Sequence, residues 1–187
     1  MMNLTNSELD GKKIIHIDTS NKLYEKKNTG IAYRIIKTNA HKGIGLSLKL
    51  KDELKRDLNA DYDYARLYAI CIYFLIKDDL ELFDILVICG DEDIWRVKEY
   101  LYLLFLHNKK YSEKIIIGIG ELREITGNKR LRSYADNAAR SYRKRVFRSL
   151  NRQQKGLFLN PIKITYKMIC EKWAEIDENL KHSVSGE

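Results

Sequence analysis

Ile14-Ile15-His16-Ile17-Asp18-Thr19-Ser20 is a β-branched run that carries a single carboxylate out to its end. A run so nearly apolar on both faces predicts a strand in the middle of a sheet covered by helices. A carboxylate delivered to the end of such a strand needs a cation, a donor or water, because a buried unpaired charge is costly. The rest of the chain must therefore supply either a metal with further acids or a neighbouring basic side chain.

Working outward, the pattern predicts the first strand over residues 12–20 and a polar loop over 21–30 containing Lys26-Lys27-Asn28. A second strand follows over 30–37 and, after a turn at 39–43, a third over 43–50, where apolar residues fall at 44, 46, 48 and 50. The period then changes. Apolar positions 67, 70, 71, 74 and 75 predict a helix that begins between 51 and 60 and ends near 77. A compact strand over 83–90 runs into Asp91-Glu92-Asp93, a helix over 94–107 follows, and 114–120 makes a fifth strand. Past Thr126-Gly127-Asn128 a long helix is expected to reach residue 150, and a terminal helix runs from 162 to about 180 with Pro161 marking its start. The order β-β-β-α-β-α-β-α plus a terminal helix implies an α/β fold, a mixed five-stranded sheet with helices on both faces. The expected division is one domain over residues 1–155 and a C-terminal helical extension over 156–187 packed on it.

Composition narrows the class. The 187 residues are 44% hydrophobic and 32% charged, which fits a globular chain with a real core. No apolar run is long enough to span a membrane, and the N-terminus lacks a basic stretch followed by an apolar one, so a cytoplasmic protein is expected. Cys71, Cys89 and Cys170 are far apart and form no CxxC pair, which favours free thiols over a disulfide framework or a zinc site. Gly118-Ile119-Gly120 is a fragment of a dinucleotide fingerprint with Arg123 where the third glycine belongs.

The order of elements resembles the ribonuclease H-like superfamily of nucleases, integrases and resolvases over about residues 12–150. Asp18, with Ser20 two residues on, is similar to that family's first-strand aspartate. Asp91, directly after Leu86-Val87-Ile88-Cys89-Gly90, is similar to its fourth-strand aspartate, and Asp136, within Ala135-Asp136-Asn137-Ala138-Ala139-Arg140, to its acid on a small-residue helix. On the first helix, where the family has Glu, this chain has Arg66, with Asp63 and Asp61 about one turn earlier. The resemblance implies a metal-dependent nuclease whose catalytic acids are Asp18, Asp91 and Asp136, with Asp63 or Glu121 as further metal ligands. Two Mg²⁺ or Mn²⁺ ions about 3.5–4 Å apart would stabilise both the attacking and the leaving oxygen of an in-line displacement. Such ions prefer oxygen ligands, which is why acids from separate elements must converge.

Each acid also has a structural reading. Asp18 can cap a turn, Asp91-Glu92-Asp93 can open the following helix, and Asp136 can pair with Arg132 or Arg140 four residues away. Glu121 and Glu124 can be solvated loop acids. His16 shares a strand face with Asp18, where a satisfied core histidine is the ordinary outcome.

Charge is concentrated in one segment. Residues 128–155 carry Lys129, Arg130, Arg132, Arg140, Arg143, Lys144, Arg145, Arg148, Arg152 and Lys155 against Asp136 alone, a net +9, while the whole chain is +8. Arginine-dominated positive charge suits phosphate contacts and points to a nucleic-acid partner, DNA, RNA or a hybrid. Two functions remain open, a metal-dependent nuclease and a non-catalytic nucleic-acid-binding domain on the same scaffold. A doubly wound α/β protein of another kind is a third, and a homodimer through the terminal helix is compatible with the sequence.

Overall fold

The computed structural model describes residues 5–36, 38, 40–90, 92–147 and 161–184, with backbone alone at 145–147. Within them the chain forms β1 (Ile14–Ser20), β2 (Thr29–Ile35), β3 (His41–Leu46), α1 (Leu48–Leu58), α2 (Tyr64–Ile76), β4 (Ile85–Ile88), α3 (Ile94–Leu104), α4 (Lys109–Ser112), β5 (Ile115–Gly118), α5 (Ile119–Thr126), α6 (Asp136–Phe147) and α7 (Tyr166–Val184). The sheet runs β3-β2-β1-β4-β5. β1 pairs antiparallel with β2 and parallel with β4, and the outer pairs repeat this, β2 with β3 antiparallel and β4 with β5 parallel. The apolar run that opens the chain is therefore the middle strand, with a meander on one side and parallel strands on the other.

Alternation along the strands divides the two faces. Ile15, Ile17, Ile31, Tyr33, Ile44 and Leu46 point into the main core, which α2 fills with Leu67, Tyr68, Ile70 and Cys71. The intervening Ala32 packs on the opposite face against Ala138, Ala139 and Tyr142 of α6. There α6 lies almost on the backbone. A Cβ at Gly30 would collide with the Ala139 carbonyl, and one at Gly43 with the Tyr142 ring. Small residues on both partners are what permit this approach.

Three boundaries differ from the sequence expectation, each for a local reason. Leu48 and Leu50 continue the alternation of β3, yet Ser47 turns them into a helix by accepting the Leu50 N–H at 3.0 Å. Leu50, Leu54 and Leu58 then fall at helical spacing. What reads as one helix ending near 77 is two, α1 and α2, parted at Asn59, whose φ is 43°, and restarted by Asp63, whose carboxylate caps Ala65 N–H at 2.9 Å. The fifth strand stops at Gly118, where Glu121 accepts the Gly118 N–H and α5 begins, and the long basic helix starts only at Asp136.

The C-terminal segment returns to the sheet. Ile162 makes a parallel bridge to Ile44, with its N–H donating to Gly43 O at 3.0 Å, so Pro161 precedes a strand-like contact and α7 starts at Tyr166. Ile169, Trp173 and Ile176 of α7 enter the same core as α2 and α3, and Arg66 donates to Asp177 at 2.7 Å. Among the described residues no helix is long and apolar enough to cross a membrane.

Candidate functional site

Register places the candidate site. Ile17 aligns with Ile88, and Cys89 N–H donates to Ile17 O at 2.8 Å, so the ends of β1 and β4 stop side by side. Asp18 leaves β1 on the α6 face, opposite Ala32. A cleft of about 910 Å³ opens there, with Asp18 and Thr19 on one wall and Asp136 and Asn137 of α6 on another. Lys22, Arg123, Arg132 and Arg140 line the same cleft.

The wall after β1 is held from below. Lys51 is buried on α1, and its Nζ donates to Leu23 O at 3.0 Å, Glu25 O at 2.8 Å and Thr29 Oγ1 at 3.0 Å. Burial among these neutral acceptors pushes the Lys51 pKa down. Asn21, at φ 63°, donates to Asn28 O at 2.8 Å, and Arg143 of α6 bonds the Asn21 side-chain oxygen. The loop is thus tied to α1 on one side and to α6 on the other, which sets the width of the cleft.

Of the predicted acids, Asp18 and Asp136 come together in this cleft. The Asp18 carboxylate accepts the Thr19 N–H at 2.7 Å. Asp136 accepts from Arg140 Nε at 3.2 Å and its terminal nitrogen at 3.1 Å, realising the i,i+4 pairing its spacing allows. Both partners are about half exposed, 44% and 58%, so the pair contributes less than about 1 kcal/mol. Asp91 lies outside the described residues. Asp63 and Glu121 sit elsewhere with partners of their own. Asp63 caps α2, accepts from Tyr100 OH at 2.7 Å and Arg96 at 2.8 Å, and borders a separate cleft of about 860 Å³ beside Arg66 and Asp177. Glu121 caps α5 by accepting the Gly118 N–H at 3.0 Å and pairs with Lys98 at 3.2 Å.

Among the described residues no three His, Cys, Asp or Glu side chains gather closely enough to hold a metal. The described carboxylates at the cleft are Asp18, Asp136 and Glu25. Glu25 is paired with Lys27 and accepts the Lys22 N–H, which leaves Asp18 and Asp136 with the neighbouring Thr19 and Asn137 side chains, an oxygen set that suits a hard ion such as Mg²⁺ or Mn²⁺. Two carboxylates fit one ion. A second ion would call for a further acid, the place that Asp91 has in sequence. Cys89, also on the cleft, has its thiol pushed up to about 12, chiefly by burial, so it stays neutral and is no nucleophile. His16 is fully buried on the Asp18 face, its Nδ1 accepting Tyr134 N–H at 3.4 Å and its ring edge-on to Tyr134. Burial lowers its pKa to about 4. It is a neutral core group at pH 7.

Of the predicted basic residues, Arg132 and Arg140 line the cleft. Lys129 and Arg130 are exposed on the connection from α5 to α6, Lys144 is exposed on α6, and Arg143 is spent on Asn21. The Arg145 side chain, Arg148, Arg152 and Lys155 lie outside the described residues. Lys22 and Arg123 are cleft cations that the charge count of residues 128–155 misses, because they stand outside that run. Their signal is positional, close behind the ends of β1 and β5. The chain matches no protein-family model, no curated protein and no solved structure.

Proposed function

We propose that this protein is a metal-dependent nuclease of ribonuclease H-like build that acts on nucleic-acid phosphodiesters. The observation that carries the reading is the meeting of Asp18 and Asp136, far apart in sequence, in one cleft with Lys22, Arg123, Arg132 and Arg140. The strand order β3-β2-β1-β4-β5, with the first acid at the end of the middle strand and another at the start of a helix docked on the opposite face from α2, agrees with that build.

The cleft cations would hold the phosphate backbone by charge and counterion release. Asp18 and Asp136 would hold Mg²⁺ or Mn²⁺, with Asp91 as the acid for a second ion. When bound, such ions would supply Lewis-acid activation of water and charge neutralisation at the leaving oxygen. Arg140, paired with Asp136, would orient that carboxylate and add positive charge beside the substrate.

One observation favours the non-catalytic alternative, a nucleic-acid-binding domain on the same scaffold. α2 offers no acid from its interior to the cleft. Arg66 is drawn to Asp177 and lies between the Tyr100 and Trp173 rings, 5.1 and 4.9 Å from their centroids, while Tyr68 donates to Cys89 O at 2.7 Å. The test is a panel of single-stranded, duplex, hybrid and branched oligonucleotides incubated with Mg²⁺, Mn²⁺ or EDTA, with binding measured on the same panel. Cleavage that EDTA abolishes supports the nuclease. Salt-sensitive binding without cleavage under any condition supports the alternative.

A further inference from the structure

Arg123 and Ile119 are four residues apart on α5 and both border the cleft. Arg123 is partly buried, and its Nε donates to Leu131 O at 2.9 Å. That bond fixes the plane of the guanidinium and leaves its terminal N–H groups for the cleft. Other arginines of the described residues have partners that occupy them: Arg66 has Asp177, Arg96 has Asp63, Arg140 has Asp136 and Arg143 has Asn21. Among the described residues Arg123 has only the backbone carbonyl. A partly buried guanidinium without a counter-charge gains when an anion completes it, and a planar fork matches two oxygens of a phosphate.

We infer that Arg123 is the phosphate-orienting residue of the cleft, its fork taking the two non-bridging oxygens of one phosphodiester of a bound strand beside Asp18. This rests on the reading of the cleft as a nucleic-acid site. It adds that one phosphate, held by one preset side chain, fixes the register of the strand, whereas Arg132, exposed at the same cleft, contributes charge alone.

The test uses fluorescein-labelled oligonucleotides in which a single neutral methylphosphonate is walked along the strand, with EDTA present so that only binding is read. The parent protein should lose about tenfold or more in affinity when one particular phosphate is neutralised, the range for a charged hydrogen-bonded pair. Arg123→Gln should bind more weakly by a similar factor and no longer respond at that position. Arg123→Lys, which keeps the charge and serves if the Gln variant does not fold, should keep the salt dependence and lose most of the positional response. Arg123→Gln binding like the parent, or either variant responding fully at the same phosphate, overturns the assignment to Arg123 while leaving the nucleic-acid reading intact. A parent protein that binds no oligonucleotide overturns both.

Discussion

The two faces of the sheet are built by opposite means. On the α2 face bulk does the work: α2 buries eleven of its thirteen residues, and Tyr68, Leu67 and Ile70 are fully enclosed with β1, β2 and β3 side chains. On the α6 face contact comes from the lack of side chains, with Gly30, Ala32 and Gly43 letting α6 rest on the strands. Apolar burial contributes roughly 25 cal/mol per Å², so the α2 face carries most of the stability, and the α6 face has polar and charged groups to spare for a cleft. The lesson is a division of labour. One face holds the fold, and the other holds Asp18 and Asp136.

The largest effect should come from the bulky face. Leu67→Ala leaves a cavity in a fully buried site and should cost about 2–5 kcal/mol, seen as a lower urea midpoint at unchanged m. A cost below 1 kcal/mol would mean that the α2 face does not dominate. Next is pH. His16 has its folded pKa depressed to about 4 against 6.5 when unfolded, so the unfolded chain binds the extra proton between these values. Stability is present above about pH 6.5 and is lost as pH falls toward 4, by up to roughly 3 kcal/mol at about 1.4 kcal/mol per pH unit. Urea melts in EDTA at pH 7 and pH 4.5 should show that loss, and His16→Leu should flatten it.

Gly43→Ala sharpens the comparison from the other side. Its Cβ meets the Tyr142 ring, so overpacking should cost about 1–3 kcal/mol. Adding Tyr142→Ala should cost less than the sum of the two single changes, because the clash is then gone. Strict additivity in that double-mutant cycle would show that α6 does not rest on Gly43. The smallest effect belongs to the cleft itself. Asp136→Asn removes a half-exposed ion pair and should change stability by less than about 1 kcal/mol, while nucleic-acid binding holds or tightens as an acidic charge is lost.

Much of the architecture was legible because its signals are local and periodic. The run 14–20 announces a central strand, and the small-residue pattern around Ala138 and Ala139 announces a helix. The errors fell where a single capping residue outweighs a pattern: Ser47 converts an apparent strand into α1, Asp63 restarts α2, and Glu121 opens α5 where the fifth strand was expected to continue. The site was legible in part. Asp18 at the end of β1 and Asp136 at the start of α6 were singled out from the sequence, and both line the cleft. Lys22 and Arg123 join them through tertiary packing, and neither carries a motif. Asp63 and Glu121 are helix caps, a role that a carboxylate after a turn or strand fills as readily as metal binding.

The most direct measurement is cleavage by Asp18→Asn set beside the parent, on whichever oligonucleotide the parent cuts with Mg²⁺ or Mn²⁺. Replacing the carboxylate by an amide keeps the shape and weakens metal ligation. The variant should match the parent in melting temperature without metal and in oligonucleotide affinity, yet show no cleavage. Cutting by Asp18→Asn at the parent's rate, or a parent that cuts nothing with either ion, would contradict the nuclease reading.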